Sequence, residues 1–154
     1  MNVDYQLLDR QVRELVEGER DHLANAANFA ALIFQEIPNV SWAGFYYADR
    51  HGDLVLGPFG GKPACTRLPK GRGVCGAAFT SRATIVVDDV YARADHIVCD
   101  AAARSEMVVP IGSGDDVYGV FDLDSAQPAR FGAVDREGIE RLVRTFAKHV
   151  APPP

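Results

Sequence analysis

The apolar residues of this 154-residue chain change their repeat twice, and that change restricts the fold more than any other feature. Near the start they recur every three to four positions. Tyr5, Leu8, Val12, Leu15 and Val16 share one helical face, and Leu23, Ala26, Ala27, Ala30, Ile33, Phe34 and Ile37 share another. Gly18 separates the two predicted helices and Pro38 stops the second. From Val40 to Tyr47 the pattern becomes strand-like and aromatic. Asp49-Arg50-His51-Gly52-Asp53 then reads as a hairpin turn into Leu54-Val55-Leu56. Ile85-Val86-Val87 and Met107-Val108-Val109-Pro110-Ile111 are short apolar runs suited to buried strands, and Gly112 to Asp116 turns into a strand over Val117 to Asp124. A short helix is predicted near Cys75 to Ser81. A final one runs from Ala133 to Val150, with Ile139, Leu142, Val143 and Phe146 on one stripe.

Hairpin-like links join antiparallel strands, whereas parallel neighbours need long crossovers. The predicted fold is therefore α+β: an antiparallel sheet with the N- and C-terminal helices packed together on one face. There is no repeat, linker or low-complexity tract, so residues 1–154 read as one domain. A chain of this length buries roughly 70% of its unfolded surface, enough to fold without disulfide or metal.

The formal charge of −5 and the scattered basic residues give no footprint for nucleic acid. No apolar run reaches the roughly 20 residues of a membrane span, and Met1-Asn2-Val3-Asp4 has no signal-peptide character. An odd cysteine count then points to a reducing compartment, with cytoplasm as the expected location.

All three cysteines, Cys65, Cys75 and Cys99, lie within 35 residues. An accessible thiol oxidises, binds metal and exchanges disulfides, so such clustering asks for a use. Gly71-x-Gly73-x-x-Gly76 matches a dinucleotide fingerprint, but Thr66-Arg67-Leu68-Pro69-Lys70 precedes it where a hydrophobic strand is required. A glycine-permitted turn before a short helix is the better account. Zinc held by Cys65, Cys75, Cys99 and His96 is a second candidate, weakened by spacing unlike paired C-x2-4-C knuckles. Nucleophilic thiol chemistry fits better, although Asp95 and Asp100 would oppose ionisation of Cys99 if close. His96 is either its assistant or an ordinary loop residue.

Carboxylates add to this. Asp122 and Asp124 alternate with Phe121 and Leu123, so in a strand the two acids share one face and the apolar pair the other. Like charges so placed need a cation, a proton or water to relieve them. A pocket supplies that relief, as does a plain solvent-exposed face. Glu106 sits just ahead of an apolar run. Trp42, Phe45, Tyr46 and Tyr47 are either core or an aromatic wall.

With these residues in view, the chain resembles the free methionine-R-sulfoxide reductases, enzymes built on a GAF domain. The matching segments are Ser41-Trp42-Ala43-Gly44-Phe45-Tyr46, Leu56-Gly57-Pro58-Phe59 with Gly61-Lys62-Pro63-Ala64-Cys65, and Gly71-x-Gly73-Val74-Cys75-Gly76. They continue through Val87-x-Asp89-Val90, His96-Ile97-x-Cys99-Asp100, Ser105-Glu106-x-Val108-Val109-Pro110 and Phe121-Asp122-Leu123-Asp124-Ser125. The cysteine separations of 10 and 24 positions agree with the family pattern. Gly60, Ala43 and Val98 stand where glutamine, valine and alanine are usual, and none of these removes a catalytic group.

The resemblance implies a single GAF domain that reduces free methionine-R-sulfoxide. Cys99 would be the attacking thiolate, Cys65 the favoured resolver and Cys75 the alternative. Glu106, Asp122 and Asp124 match the acidic cluster that orients and protonates the sulfoxide, and Trp42 and Tyr46 match substrate-binding aromatics. Thioredoxin is the implied reductant and a homodimer the implied assembly, with no cofactor or metal. The competing reading is a non-catalytic GAF module that binds a small molecule or senses redox state, since fold alone never decides function. A binding pocket has no need of three cysteines at these separations, and a thiol sensor leaves the acids unused.

Overall fold

The computed structural model describes residues 2–154. Two helices come first, α1 (Tyr5–Val16) and α2 (His22–Glu36). Each begins where an aspartate precedes it: Asp4 accepts from the Leu7 N–H at 2.9 Å and Asp21 from the Ala24 N–H at 2.8 Å. Gly18 turns the chain between them with φ of +80°. Strands β1 (Trp42–Ala48), β2 (Leu54–Gly61) and β3 (Arg67–Leu68) follow, then helix α3 (Gly73–Ser81) and strand β4 (Ile85–Val87). After a long segment come β5 (Ser105–Ile111), β6 (Gly119–Ser125) and α4 (Ala133–His149).

The strands form one sheet in the order β3-β2-β1-β6-β5-β4, every pair antiparallel. The α+β reading and its antiparallel sheet are borne out. Helices α1, α2 and α4 share one core with the sheet, built on Phe29, Phe45, Phe121, Leu123, Met107 and Phe146. On the other face lie α3 and a second cluster containing Trp42, Tyr46, Val74, Cys75 and Val108. No helix among the described residues is long and apolar enough to cross a membrane.

The structure corrects details of both N-terminal helices and of β2. On α1 Leu15 is exposed, and Asp9, which accepts from the Thr145 hydroxyl, is buried instead. The inner face of α2 is His22, Asn25, Ala26, Phe29, Ala30 and Ile33, leaving Leu23, Ala27 and Phe34 exposed. Polar anchors rotate the helix. The His22 Nδ1–H donates to the Ala151 carbonyl at 2.7 Å and its Nε2 accepts from the Tyr47 hydroxyl at 2.6 Å, while Asn25 donates to the Glu19 carbonyl at 2.9 Å. Satisfied polar groups can be buried, so hydropathy alone misplaced the stripe. Strand β2 also runs on past Leu56 to Gly61. Its register against β1 shifts between Gly44 and Tyr46, so Gly57 and Pro58 lie at a bulge, where a proline without an N–H is tolerated.

Candidate active site

Strand register assembles the acids. Glu106 on β5 lies opposite Asp124 on β6, and Asp122 lies opposite Val108. On the other side of β6, β1 places Trp42 beside Asp124 and Gly44 beside Asp122. Period-2 alternation sends Phe121 and Leu123 into the helix-side core, while Asp122 and Asp124 line a cavity of about 60 Å³ on the α3 side. Glu106, Trp42, Tyr46, Cys75 and Cys99 line the same cavity. Elements far apart in sequence thus converge on one volume.

The aromatic wall is fixed by its neighbours. The Trp42 ring stacks on Phe59 at 5.3 Å and 18°, and its indole N–H donates to the Lys62 carbonyl at 3.1 Å. Gly44, between Trp42 and Tyr46 on the same strand face, makes this possible. A Cβ there would collide with the Phe59 Cβ and lie 2.7 Å from the Trp42 ring. Tyr46 stacks on Trp42 at 5.8 Å and donates its hydroxyl to the Cys65 carbonyl at 2.8 Å.

Glycine-rich chain around Gly71 to Gly76 forms the turn into α3, not a dinucleotide loop. Gly71 and Gly73 have φ of +69° and +70°, a region that favours glycine. This turn brings Arg72 and the first amides of α3 to the cavity and buries Cys75 beneath it.

Cys65 and Cys99 are joined in a disulfide, and Cys75 is the free cysteine. Cys99 sits on the segment between β4 and β5, where a 3-10 turn over Val90–Ala92 is capped by Asp89 and Arg93 pairs with Asp95 at 2.9 Å. Tyr91 donates its hydroxyl to the Ala101 carbonyl and braces the same segment. Cys99 is exposed, Cys65 is half-buried, and Cys75 is buried with its Sγ 3.9 Å from Glu106 Oε1. Because Cys65 and Cys99 bond to each other, the four-ligand zinc set suggested by the sequence is not assembled in this state. His96 faces the cavity with its Nε2 buried and unpartnered, and burial pushes its pKa down.

Burial is the leading cause of the electrostatics here. It pushes the Asp122 carboxyl well above the usual range, and the charges of Asp124 and Glu106 add to the effect. Asp124 is pushed up by burial and by Glu106, but it keeps partial solvent access. Glu106 is raised by burial too, against the opposing pull of its hydrogen bond with Asp122 and of Arg93. The Cys75 thiol is pushed well up by burial and then by all three acids, so it is held protonated. Asp122 Oδ1 is buried without a donor. Its neighbours are a second carboxyl and a thiol, so the partner it lacks is a proton or another cation.

Similarity to known proteins agrees with this geometry. Residues 22–151 match the GAF domain family. The chain is 46% identical to protein YtsP of Bacillus subtilis over 149 residues, covering 96% of this chain and 91% of that one. It is 42% identical to the free methionine-R-sulfoxide reductase of Escherichia coli over 147 residues, covering 96% of this chain and 88% of that one. The chain belongs to the free methionine-R-sulfoxide reductase family of GAF domains. A crystal structure of the free methionine-R-sulfoxide reductase of Neisseria meningitidis, in complex with its substrate, aligns with TM-score 0.90 at 42% identity, covering 94% of this chain and 87% of that one.

All eight residues picked from the sequence as this family's site gather around the cavity: seven line it, and Cys65 is bonded to Cys99 at its edge. The sequence reading did not single out Lys62, Arg72 or Ile97, which also line it. Each lies within three residues of a cysteine or inside the glycine turn, so position in a motif was the available signal.

Proposed function

We propose that this protein reduces free L-methionine-(R)-S-oxide to L-methionine. The observation that carries the reading is the meeting of Cys99, bonded to Cys65, with the buried Glu106 and Asp122 and the half-buried Asp124 in one cavity. A sulfoxide oxygen leaves sulfur only once protonated. A carboxyl kept neutral by burial supplies that proton near neutral pH. Asp122, the more enclosed of the pair on β6, is the proton donor, and Glu106 accepts its hydrogen bond and holds it in place.

In the reduced enzyme the Cys99 thiolate attacks the sulfur as the proton moves to the oxygen. Methionine departs, and Cys99 is left as a sulfenic acid. The Cys65 thiol then condenses with it, forming the disulfide and releasing water. Cys65 is the resolver in this reading because it is already bonded to Cys99. Cys75, buried and protonated beside Glu106, is a poor nucleophile. A dithiol of the thioredoxin type restores both thiols by exchange, so two electrons leave the reductant for each sulfoxide oxygen converted to water. The substrate's thioether end lies against Trp42 and Tyr46. Its carboxylate faces Arg72 and the N-terminal amides of α3, a favourable place for an anion. Its ammonium group faces the acids. Engaging both charged poles favours the free amino acid over a peptide.

The test is methionine release from separated R and S epimers with dithiothreitol as reductant. Turnover of the R epimer alone is expected. No turnover of either epimer by folded, fully reduced protein would put the ligand-binding GAF module in first place.

A further inference from the structure

Cys75 has no step in that cycle, yet it is buried where it lines the cavity. Its Sγ, an oxygen of Glu106 and an oxygen of Asp122 all lie within 4.8 Å of one another, and all three residues are buried. The sulfur is 3.9 Å from Glu106 Oε1. Tetrahedral zinc holds sulfur at about 2.3 Å and carboxylate oxygen at about 2.0–2.2 Å, which sets adjacent donors roughly 3.5 Å apart. Small side-chain rotations close the difference. One soft sulfur with two oxygens is also a donor set that a borderline cation accepts.

A further observation points to a ligand. Asp122 is 5% exposed, and its Oδ1 is enclosed with no donor. His96 Nε2 is also enclosed and unpartnered at the wall of the same cavity, but it lies outside the Cys75–Glu106–Asp122 group. Among the described residues no lysine or arginine pairs with Glu106 or Asp122. A bridging cation answers both the orphaned Asp122 oxygen and the lack of a basic partner for the two carboxyls.

We propose that Cys75, Glu106 and Asp122 form a binding site for a thiophilic divalent cation of the zinc class, whose occupation closes the cavity floor to the sulfoxide. On binding, a metal–sulfur bond replaces the S–H bond, the proton leaves to solvent, and no electrons change hands. This set differs from the one suggested by cysteine spacing, because Cys65 and Cys99 take no part. The binding site stands independently of the reductase reading, and only the exclusion of substrate rests on it.

Cadmium is the probe, because a cadmium–thiolate bond gives an ultraviolet charge-transfer band. In the oxidised chain Cys75 is the one free thiol among the described residues, so the band reports on it alone. Saturation at one cadmium per chain is expected, with reversal by excess zinc, loss in Cys75→Ser, and at least a tenfold weaker midpoint in Glu106→Gln and Asp122→Asn. Near-ultraviolet circular dichroism checks the fold of each variant. Absence of the band in the unmodified chain overturns the site, as does an unchanged midpoint in both carboxamide variants. For exclusion, the chain carrying Cys65→Ser and Cys99→Ser keeps Cys75 and cannot turn over. Free methionine-R-sulfoxide should raise its cadmium midpoint at least tenfold. Calorimetric binding of the sulfoxide with no effect on cadmium would overturn the exclusion, whereas no sulfoxide binding at all would count against the reductase reading instead.

Discussion

Two faces of the same strands differ more than any two elements of the molecule. Towards α2 and α4, β5 and β6 present Met107, Val109, Phe121 and Leu123, all buried and apolar. One residue away along each strand, Glu106, Asp122 and Asp124 face α3 and the cavity. Burying apolar surface stabilises by roughly 25 cal/mol per Å², and an aromatic side chain covers about 150–250 Å². Burying carboxyls close together does the reverse unless protons or a cation relieve them. The helix-side face therefore holds in place an acidic cluster that would not assemble alone. Substitutions on the two faces should separate accordingly, with activity lost on one and stability on the other.

Cys99→Ser makes the sharpest separation. Turnover should fall to background while the thermal midpoint of the reduced protein stays where it was. Retained turnover would remove Cys99 from the nucleophile position. Cys65→Ser should still release about one methionine per site in a single turnover but stall with thioredoxin, and full cycling there would move the resolving role to Cys75.

Asp122→Asn is the next largest effect, and it also tests the proton argument. Loss of a general acid should lower kcat by about 10²–10⁴-fold. Stability should move in the opposite direction or not at all. The folded-state pKa of Asp122 lies above its unfolded value of about 4, so the native state binds the extra proton. Stability then falls as pH rises from about 4 through the raised folded pKa. The Asp122→Asn variant lacks this titration, so its denaturant midpoints measured from pH 4 to 8 should vary less than those of the parent. In the parent enzyme kcat/KM should fall as pH passes the same raised value. An equal pH slope in both proteins would break the assignment.

On the opposite face, Phe121→Ala should cost about 3–5 kcal/mol of stability, the usual range for an aromatic removed from a core. Phe121 is fully buried and meets Phe29 at 5.0 Å and Phe45 at 4.9 Å. Below the lowered unfolding transition, the KM for the sulfoxide should be unchanged. A large rise in KM would mean that the two faces are coupled through β6.

Alternation makes this division legible in the sequence. Phe121-Asp122-Leu123-Asp124 determines which side each residue takes once the segment is a strand, and the structure follows it. The helices at both ends and the antiparallel hairpins were legible from period and turn chemistry for the same reason. The inner stripe of α2 was not, because His22 and Asn25 are buried through hydrogen bonds to Ala151 and Glu19, one of them near the far end of the chain. Nor was the full length of β2, where glycines and a proline hide a bulged strand. Side-chain spacing also could not order the causes of the raised carboxyl pKa values. Crowding is visible in sequence, but burial, the larger cause, exists only after folding.

Tyr46→Phe should give the smallest effect, and it probes the seam between the wall and the redox pair. Its hydroxyl donates to the carbonyl of Cys65, so its loss frees the backbone of the proposed resolving residue without touching the acids. A hydrogen bond of this kind contributes about 0.5–1.5 kcal/mol. Methionine release in a single turnover should be nearly unchanged, because the Trp42 stack and the aromatic ring both remain. Closure of the Cys65–Cys99 disulfide after that turnover should slow severalfold, followed as thiol loss by mass spectrometry. If methionine release slowed and disulfide closure did not, Tyr46 would belong with the acids as a group acting on the substrate, and the resolving thiol would be positioned by something else.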